Sequence, residues 1–340
     1  MSVPRPTISD VAEAAGVSRA AVSKVLREAY GVSPQMRDRV QRAIDALGYR
    51  PRESARALRT STRTVGVALP LLRGQFYADV LDGLHEELSR GPYRMIVSPF
   101  DHETADANPG MESLWDRSID AAIVVSPTVR TEWLDKYARR LPTVVVARHD
   151  PSEHFDRVTG DDHAGAALVV RHLAGLGHER ITHLSHAVPA HPHTVRSPHV
   201  VREAGFLAAM ESAGLATGAR VLHCAGTEDA SRDATRALLA RGERPGALFV
   251  GSDQGAFGAM RALAERGLRV PEDVSVVGYD DTQFASHPRM SLTTVAQHGL
   301  AMGRRAARFA LERVEGRSES AEWMSRPVLV ARSSSAVPGS

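Results

Sequence analysis

The stretch GVSRAAVSKVL, residues 16–26, sets Arg19, Ser23, Lys24 and, one residue beyond it, Arg27 along one side of a short amphipathic helix. Val22, Val25 and Leu26 take the other side. That spacing suits work on a polyanion. Arg19 and Lys24 carry donors that can reach guanine O6 and N7 in a major groove, and the free amides of a helix opened by Ser18 suit a phosphate. Ala20 offers only a methyl group. The same face would also serve as an ordinary solvated surface, so its meaning depends on the elements around it. Lys24 and Lys136 are the only lysines among 42 basic residues.

Those elements read as three short helices. Thr7 can cap a helix from Ile8 to about Ala14, with Asp10 in its first turn at the positive end of the dipole. Gly16 ends it, and Ser18 opens the second helix, Arg19 to about Leu26. Ser33 followed by Pro34 starts a third, running to Leu47, where Gly48 supplies a left-handed stop. Val11, Ala12, Ala15, Val17, Val22, Val25, Leu26, Val40, Ile44 and Leu47 fall on single faces and predict one small core. A helix, a glycine turn, a second helix and a supporting third is the helix-turn-helix arrangement. Beyond it, Tyr49-Arg50-Pro51 is extended and ESARALR is too short to be a stable helix alone. Leu58 would lie exposed among Arg52, Arg56 and Arg59 in a monomer. A helix formed only with DNA and a twin copy fits better, with Leu58 as an apolar wedge in the minor groove.

Charge divides along the chain. Residues 1–63 sum to about +6 and the remainder to about −4 by formal counting. A basic head on a mildly acidic body points to a polyanion partner for the head. With 340 residues, 43% hydrophobic, the chain has room for two or three compact units. One cysteine, Cys224, excludes a disulfide framework. No apolar signal-peptide core and no membrane-length apolar run is present, so a cytoplasmic location is expected.

From Val65 the texture becomes short apolar runs alternating with helices. VGVALPL, YRMIVSPF, AAIVVSP and TVVVARHD form a first set, and RITHLSH, RVLHCAG, GALFVGSD and VSVVGYDD a second. This is buried parallel-sheet patterning. Two wound units imply two lobes with a cleft lined by the carboxyl ends of strands. SLTTV and PVLVARSS read as further strands that let the chain cross between lobes more than once. The expected fold is an N-terminal all-α helix-turn-helix domain plus an α/β core of two doubly wound parallel-sheet lobes. The expected divisions are 1–50 for the DNA-binding domain, 51–63 for a hinge helix and linker, and 64–340 for the core. Within the core, one lobe takes about 64–163 and 296–325, the other about 164–295 and 326–335.

TISDVAEAAGVSRAAVSKVL, VSPQMRDRVQRAIDALGYRP and ARALRTSTRTVGVALP resemble the signature of the LacI/GalR family of transcriptional regulators. HLAGLGHERI, REAGF, SDQGAFGAMRALAERGLRVPEDVSVVGYDD, LTTV and ARSSS extend the resemblance to the family's effector-binding core, itself similar to periplasmic sugar-binding proteins. The resemblance implies that Arg19, Ala20 and Lys24 read bases, that Ser23 contacts phosphate, and that Leu58 opens the operator centre. Ser18 and Arg27 complete the expected DNA-binding set. Ala21 departs from a frequent threonine, and Arg27 and Arg52 replace frequent asparagines, adding charge. In the core the resemblance places Phe76, Arg148, Asp161, Arg202, Ser252, Asp253 and Asp280 at the effector. Carboxylates and arginines bond vicinal hydroxyls, and an aromatic face covers a sugar ring. Asp161 could equally be a helix cap.

Other motifs carry less. His186, His191, His193 and His199 in a proline-rich loop lack a cysteine or carboxylate at ligand spacing, so a cleft rim fits better than a metal site. GDDHAGAALV is not a dinucleotide fingerprint, and no nucleophile elbow, phosphate loop or zinc-protease motif is present. The expectation is a DNA-binding regulator, a repressor and not an enzyme, needing no metal or cofactor. Its partners are a palindromic double-stranded operator, a small effector of carbohydrate type and a second copy in a homodimer, with no membrane. A regulator of the same fold that is ligand-independent or uses a protein co-effector is the alternative; a transport-type binding protein is disfavoured by the basic head.

Overall fold

The computed structural model describes residues 6–26, 30–49, 61–70, 74–100, 108–186 and 196–339. The chain divides into two compact units, Met1–Thr62 and Arg63–Ser340. Arg27, Leu58 and the rest of the expected hinge helix lie outside the described residues, as do His191 and His193.

The first unit holds α1 (Ile8–Ala15), α2 (Arg19–Leu26) and α3 (Pro34–Leu47). Thr7 and Asp10 form a reciprocal capping box on α1, the Thr7 amide donating to Asp10 Oδ2 at 2.6 Å. Gly16, at φ 61°, turns the chain directly into α2, which Ser18 caps through the Ala21 amide at 3.2 Å. Ser33 caps α3 and Gly48 stops it in the left-handed region. Val11, Ala12, Ala15, Val22, Val25, Val40 and Ala43 form the core, with Val17, Leu26 and Ile44 packed at its edge. Leu47, expected inside, is 38% exposed. Eight-residue helices span about 12 Å and a fourteen-residue one about 21 Å, so the last turn of α3 overhangs its neighbours.

The second unit holds two parallel sheets. The first runs β11-β5-β4-β3-β1-β2, built from β1 (Thr64–Leu69), β2 (Arg94–Pro99), β3 (Ala121–Val125), β4 (Thr143–Val146), β5 (Asp156–Gly160) and β11 (Glu322–Ser325). Around it lie α4 (Gln75–Leu88), α5 (Pro109–Trp115), α6 (Thr131–Ala138) and α11 (Gly299–Val314). The second sheet runs β7-β6-β8-β9, from β6 (Ile181–His186), β7 (Ala219–Cys224), β8 (Ala247–Val250) and β9 (Ser275–Val277). Its helices are α7 (Asp162–Gly175), α8 (Pro198–Ser212), α9 (Glu228–Ala240) and α10 (Asp253–Glu265). An antiparallel pair, β10 (Thr294–Ala296) with β12 (Val328–Val330), lies beside β9, reached through bridges Val277–Thr293 and Asp280–Ala296. The chain passes between the two sheets' lobes at 160–162, 296–299 and 325–328.

Two strands carry no apolar run and were not read from the sequence. β5 (DRVTG) begins on Asp156, fully buried but bonded by Arg313 at 3.0 Å and Arg317 at 2.6 Å. β11 (EWMS) is an edge strand beside it. β2, expected as a buried run, lies at the opposite edge and exposes Ile96 and Val97. Sheet patterning reports apolarity, and an edge strand needs only one partner.

Candidate functional site

On the first unit, α2 rests Val22 and Val25 on the core and leaves Ser18, Arg19, Ala20 and Lys24 exposed, with Ser23 half-buried. Its first turn carries no acid. Ser18 spends its Oγ as an acceptor on the cap. Nearby acids are engaged locally: Asp10 in the capping box and Asp45 by Gln41 at 3.0 Å. Tyr30, not singled out from the sequence, is fully exposed just beyond this helix.

In the second unit the strand ends gather a polar cluster around Arg202. Its α8 is opened by Ser197 and Pro198. The Arg202 side chain is 2% exposed, lies with its guanidinium carbon 3.5 Å from the Tyr279 ring centre, and donates to Asp162 Oδ1 at 2.6 Å and to the Gly251 carbonyl. Asp162 also meets His149 Nε2 at 2.8 Å. His149 follows β4 of the first lobe, so Asp162 ties the first lobe to the arginine of the second. Asp280, at φ 129°, follows β9 and accepts from Gln297 Nε2. Burial first, and then Asp253, push its carboxyl well above the ordinary range. From the first lobe Tyr77 bonds Ser126 and feels the Asp280 charge; burial, the larger cause, pushes its phenol up to about 12. Phe76 lies edge-on to Tyr77 with ring centres 5.6 Å apart.

Three expected effector residues, Arg148, Asp253 and Asp161, are engaged by hydrogen bonds within the protein instead. Arg148 is buried and donates to Asp150 at 3.0 Å, to Thr131 at 2.7 Å and to the Pro127 and Val129 carbonyls, holding the β3–α6 connection. Asp253 is fully buried; Oδ2 accepts from the Thr282 amide at 2.7 Å and hydroxyl at 2.9 Å, and Oδ1 from Thr294. Burial lifts its carboxyl to about 6 against those hydrogen bonds. Asp161 caps α7 through the Ala164 amide at 2.9 Å. Ser252 caps α10 at 3.1 Å and keeps its Oγ 3.4 Å from His186 Nε2.

Sequence reasoning did not pick Tyr77, His149, Asp162, Tyr279 or Gln297 for the site. Asp162 stands one place after the chosen Asp161, and Tyr77 one place after Phe76. At a helix start, one residue changes the direction of a side chain by about 100°. His186 closes the RITHLSH run and opens the proline-rich histidine stretch. It ends β6, its ring 4.4 Å from that of His199, and burial followed by the Arg202 charge takes it down to about 3. Among the described residues, no three His, Cys, Asp or Glu side chains converge as a metal site.

Residues 7–52 match the family model described as bacterial regulatory proteins, lacI family, and residues 170–335 that of a periplasmic binding protein-like domain. The HTH-type transcriptional repressor PurR of Haemophilus influenzae (strain PittEE) is 31% identical over 338 residues, spanning 96% of this chain and 98% of the relative. Catabolite control protein A of Priestia megaterium is 31% identical, spanning 86% and 87%. Among solved structures, the lac repressor dimer bound to operator and the anti-inducer ONPF has a TM-score of 0.78 at 25% identity, covering 98% of this chain and 100% of that one. The transcriptional regulator CelR in complex with cellobiose has a TM-score of 0.69 at 29% identity, covering 97% and 100%.

Proposed function

The chain belongs to the lacI family of bacterial regulatory proteins, and on that premise we propose that it is a DNA-binding transcriptional repressor controlled by a carbohydrate effector. It acts as a homodimer on a two-fold operator, as one short recognition helix reads too few bases for genomic specificity. Ser18, Arg19, Ala20, Ser23 and Lys24 form the reading face, with Arg27 and Leu58 assigned to DNA from the sequence alone. The effector lies between the lobes, against Phe76 and Tyr77 on one side and Arg202, Ser252 and Asp280 on the other.

The observation that carries this reading is the joining of two features in one chain. One is an acid-free helix presenting Arg19 and Lys24; the other is a buried arginine whose carboxylate partner also holds the opposite lobe. Arg202 keeps donors beyond its two bonds, Asp280 keeps acceptor capacity, and an aromatic pair can cover an apolar ring face. These groups bind and orient; among them no nucleophile is paired with a base. An effector that draws on Arg202 competes with Asp162 and thereby acts on the tie to His149. A coupling of about 1–3 kcal/mol changes operator affinity roughly 5- to 150-fold.

The test is to select the operator from random duplexes with the full chain, then add monosaccharides, disaccharides, sugar phosphates and nucleobases to that complex. A sugar that both raises the melting temperature and shifts operator affinity within that range supports the reading. DNA binding that none of the compounds changes would return the ligand-independent regulator or the protein co-effector.

A further inference from the structure

We propose that Asp120 is a positioning residue for DNA binding: together with Arg94 it pins the chain at Arg63 and Thr64, and so fixes the direction in which the chain leaves the second unit. The proposal rests on the repressor reading above. In that reading two DNA-binding units read the two half-sites of one operator. Each is joined along the chain to its own second unit at Thr62–Arg63. Whatever the second unit imposes along the chain passes through this joint, and a loose joint transmits little.

The joint is held from both sides. β1 begins at Thr64, which is buried, and runs in the sheet between β2 and β3. On the β2 side the Arg94 amide donates to the Arg63 carbonyl at 2.9 Å. On the β3 side the Asp120 amide donates to the Thr64 carbonyl at 2.8 Å. The Thr64 amide donates in return to Asp120 Oδ2 at 3.1 Å. That bond to a carboxylate is charge-assisted and stronger than an ordinary ladder bond. Gly66 permits the approach, since a Cβ there would lie 2.7 Å from Cδ1 of Ile119, the neighbour of Asp120. Arg63 itself sits at φ 50°, in the left-handed region that favours glycine. A residue with a side chain stays there when its surroundings hold it. Asp120 thus acts on DNA binding through the backbone it grips.

The test compares the full-length protein on its selected operator and on the same duplex with two base pairs added between the half-sites, a rotation of about 70°. The wild type should bind the lengthened duplex at least about tenfold more weakly. Asp120→Ala should lose most of that preference, while Asp120→Asn, which keeps an oxygen acceptor for the Thr64 amide, should retain it. A merely destabilised variant would weaken on both duplexes alike, and an unchanged ratio in Asp120→Ala overturns the proposal. So does a wild type indifferent to the insertion. Where Asp120→Ala does not fold, Arg63→Gly is read in its place. It leaves both Thr64 bonds intact but frees the backbone just before them, and an undiminished spacing preference there overturns the proposal. If no operator can be selected, the repressor reading fails, and amide exchange decides the pin separately. Thr64 should then exchange at least about tenfold faster in Asp120→Ala than in the wild type or Asp120→Asn, with Val65–Leu69 unchanged. Equal exchange at Thr64 overturns the proposal.

Discussion

Two arginines of the second unit show how one residue type divides between support and binding. Arg148 and Arg202 are both buried, but Arg148 spends its donors on a loop of its own lobe, while Arg202 is held by Asp162 with donors left over. Arg148→Ala should lower the melting temperature, since it strips buried carbonyls of their donors at a cost of about 1–3 kcal/mol each. The shift produced by an effector should survive. Arg202→Lys should abolish that shift, because an ammonium cannot reproduce the fork. Loss of the effector response in the Arg148 variant with its stability intact would reverse the two assignments. His183 makes a different prediction. Its Nδ1 lies 3.0 Å from the Phe249 carbonyl and its ring stacks on Phe249. Burial lowers its folded pKa to about 3 from 6.5. The unfolded chain therefore binds the proton first, and the stability this group provides is complete above about 6.5 and lost as pH falls toward 3. His183→Phe should flatten the fall in urea midpoint below pH 6; an unchanged slope would show that His183 does not contribute.

At the scale of elements, the cleft depends on how closely two helices approach. A Cβ on Gly83 of α4 would come 2.0 Å from the Leu300 carbonyl oxygen, and one on Gly303 of α11 would come 2.1 Å from that of Val80. The helices thus pack backbone to backbone, with Phe76 and Asp79 of α4 against Gly299 of α11. Gly303→Ala should cost about 1–3 kcal/mol in overpacking and weaken effector binding, measured as a lower melting temperature and a smaller ligand shift. A full-strength ligand response in the destabilised variant would separate the packing from the site. The same scale explains the missed strands. β5 can open on Asp156 because Arg313 and Arg317, distant in the chain and near in space, compensate it, and β11 is an edge strand beside it.

For the whole molecule, the division of charge between residues 1–63 and the rest matters more than the small net value of +2. A repressor acting as a dimer should bind a two-half-site operator far more tightly than a single half-site. Its affinity should also fall by about 10³–10⁵ between 50 and 200 mM salt if 6–10 phosphates are contacted. Gel-shift titrations on the selected operator measure both. Equal affinity for full and half sites would remove the dimeric reading.

By itself the sequence determined whatever local physics decides. Thr7, Ser18, Ser33, Gly16 and Gly48 mark helix ends because caps and left-handed turns involve only neighbouring residues. Apolar runs marked most of the strands, and the spacing of Arg19 and Lys24 marked the face of α2. Tertiary structure decided which polar groups are free. Arg148 and Asp253 read as ligand groups until partners 17 to 41 positions away were seen to consume them. Asp162 entered the site only once Arg202, 40 positions on, was found beside it. A hydrogen bond between distant residues leaves no trace in the spacing of either, so the availability of a buried polar group is a property of the fold.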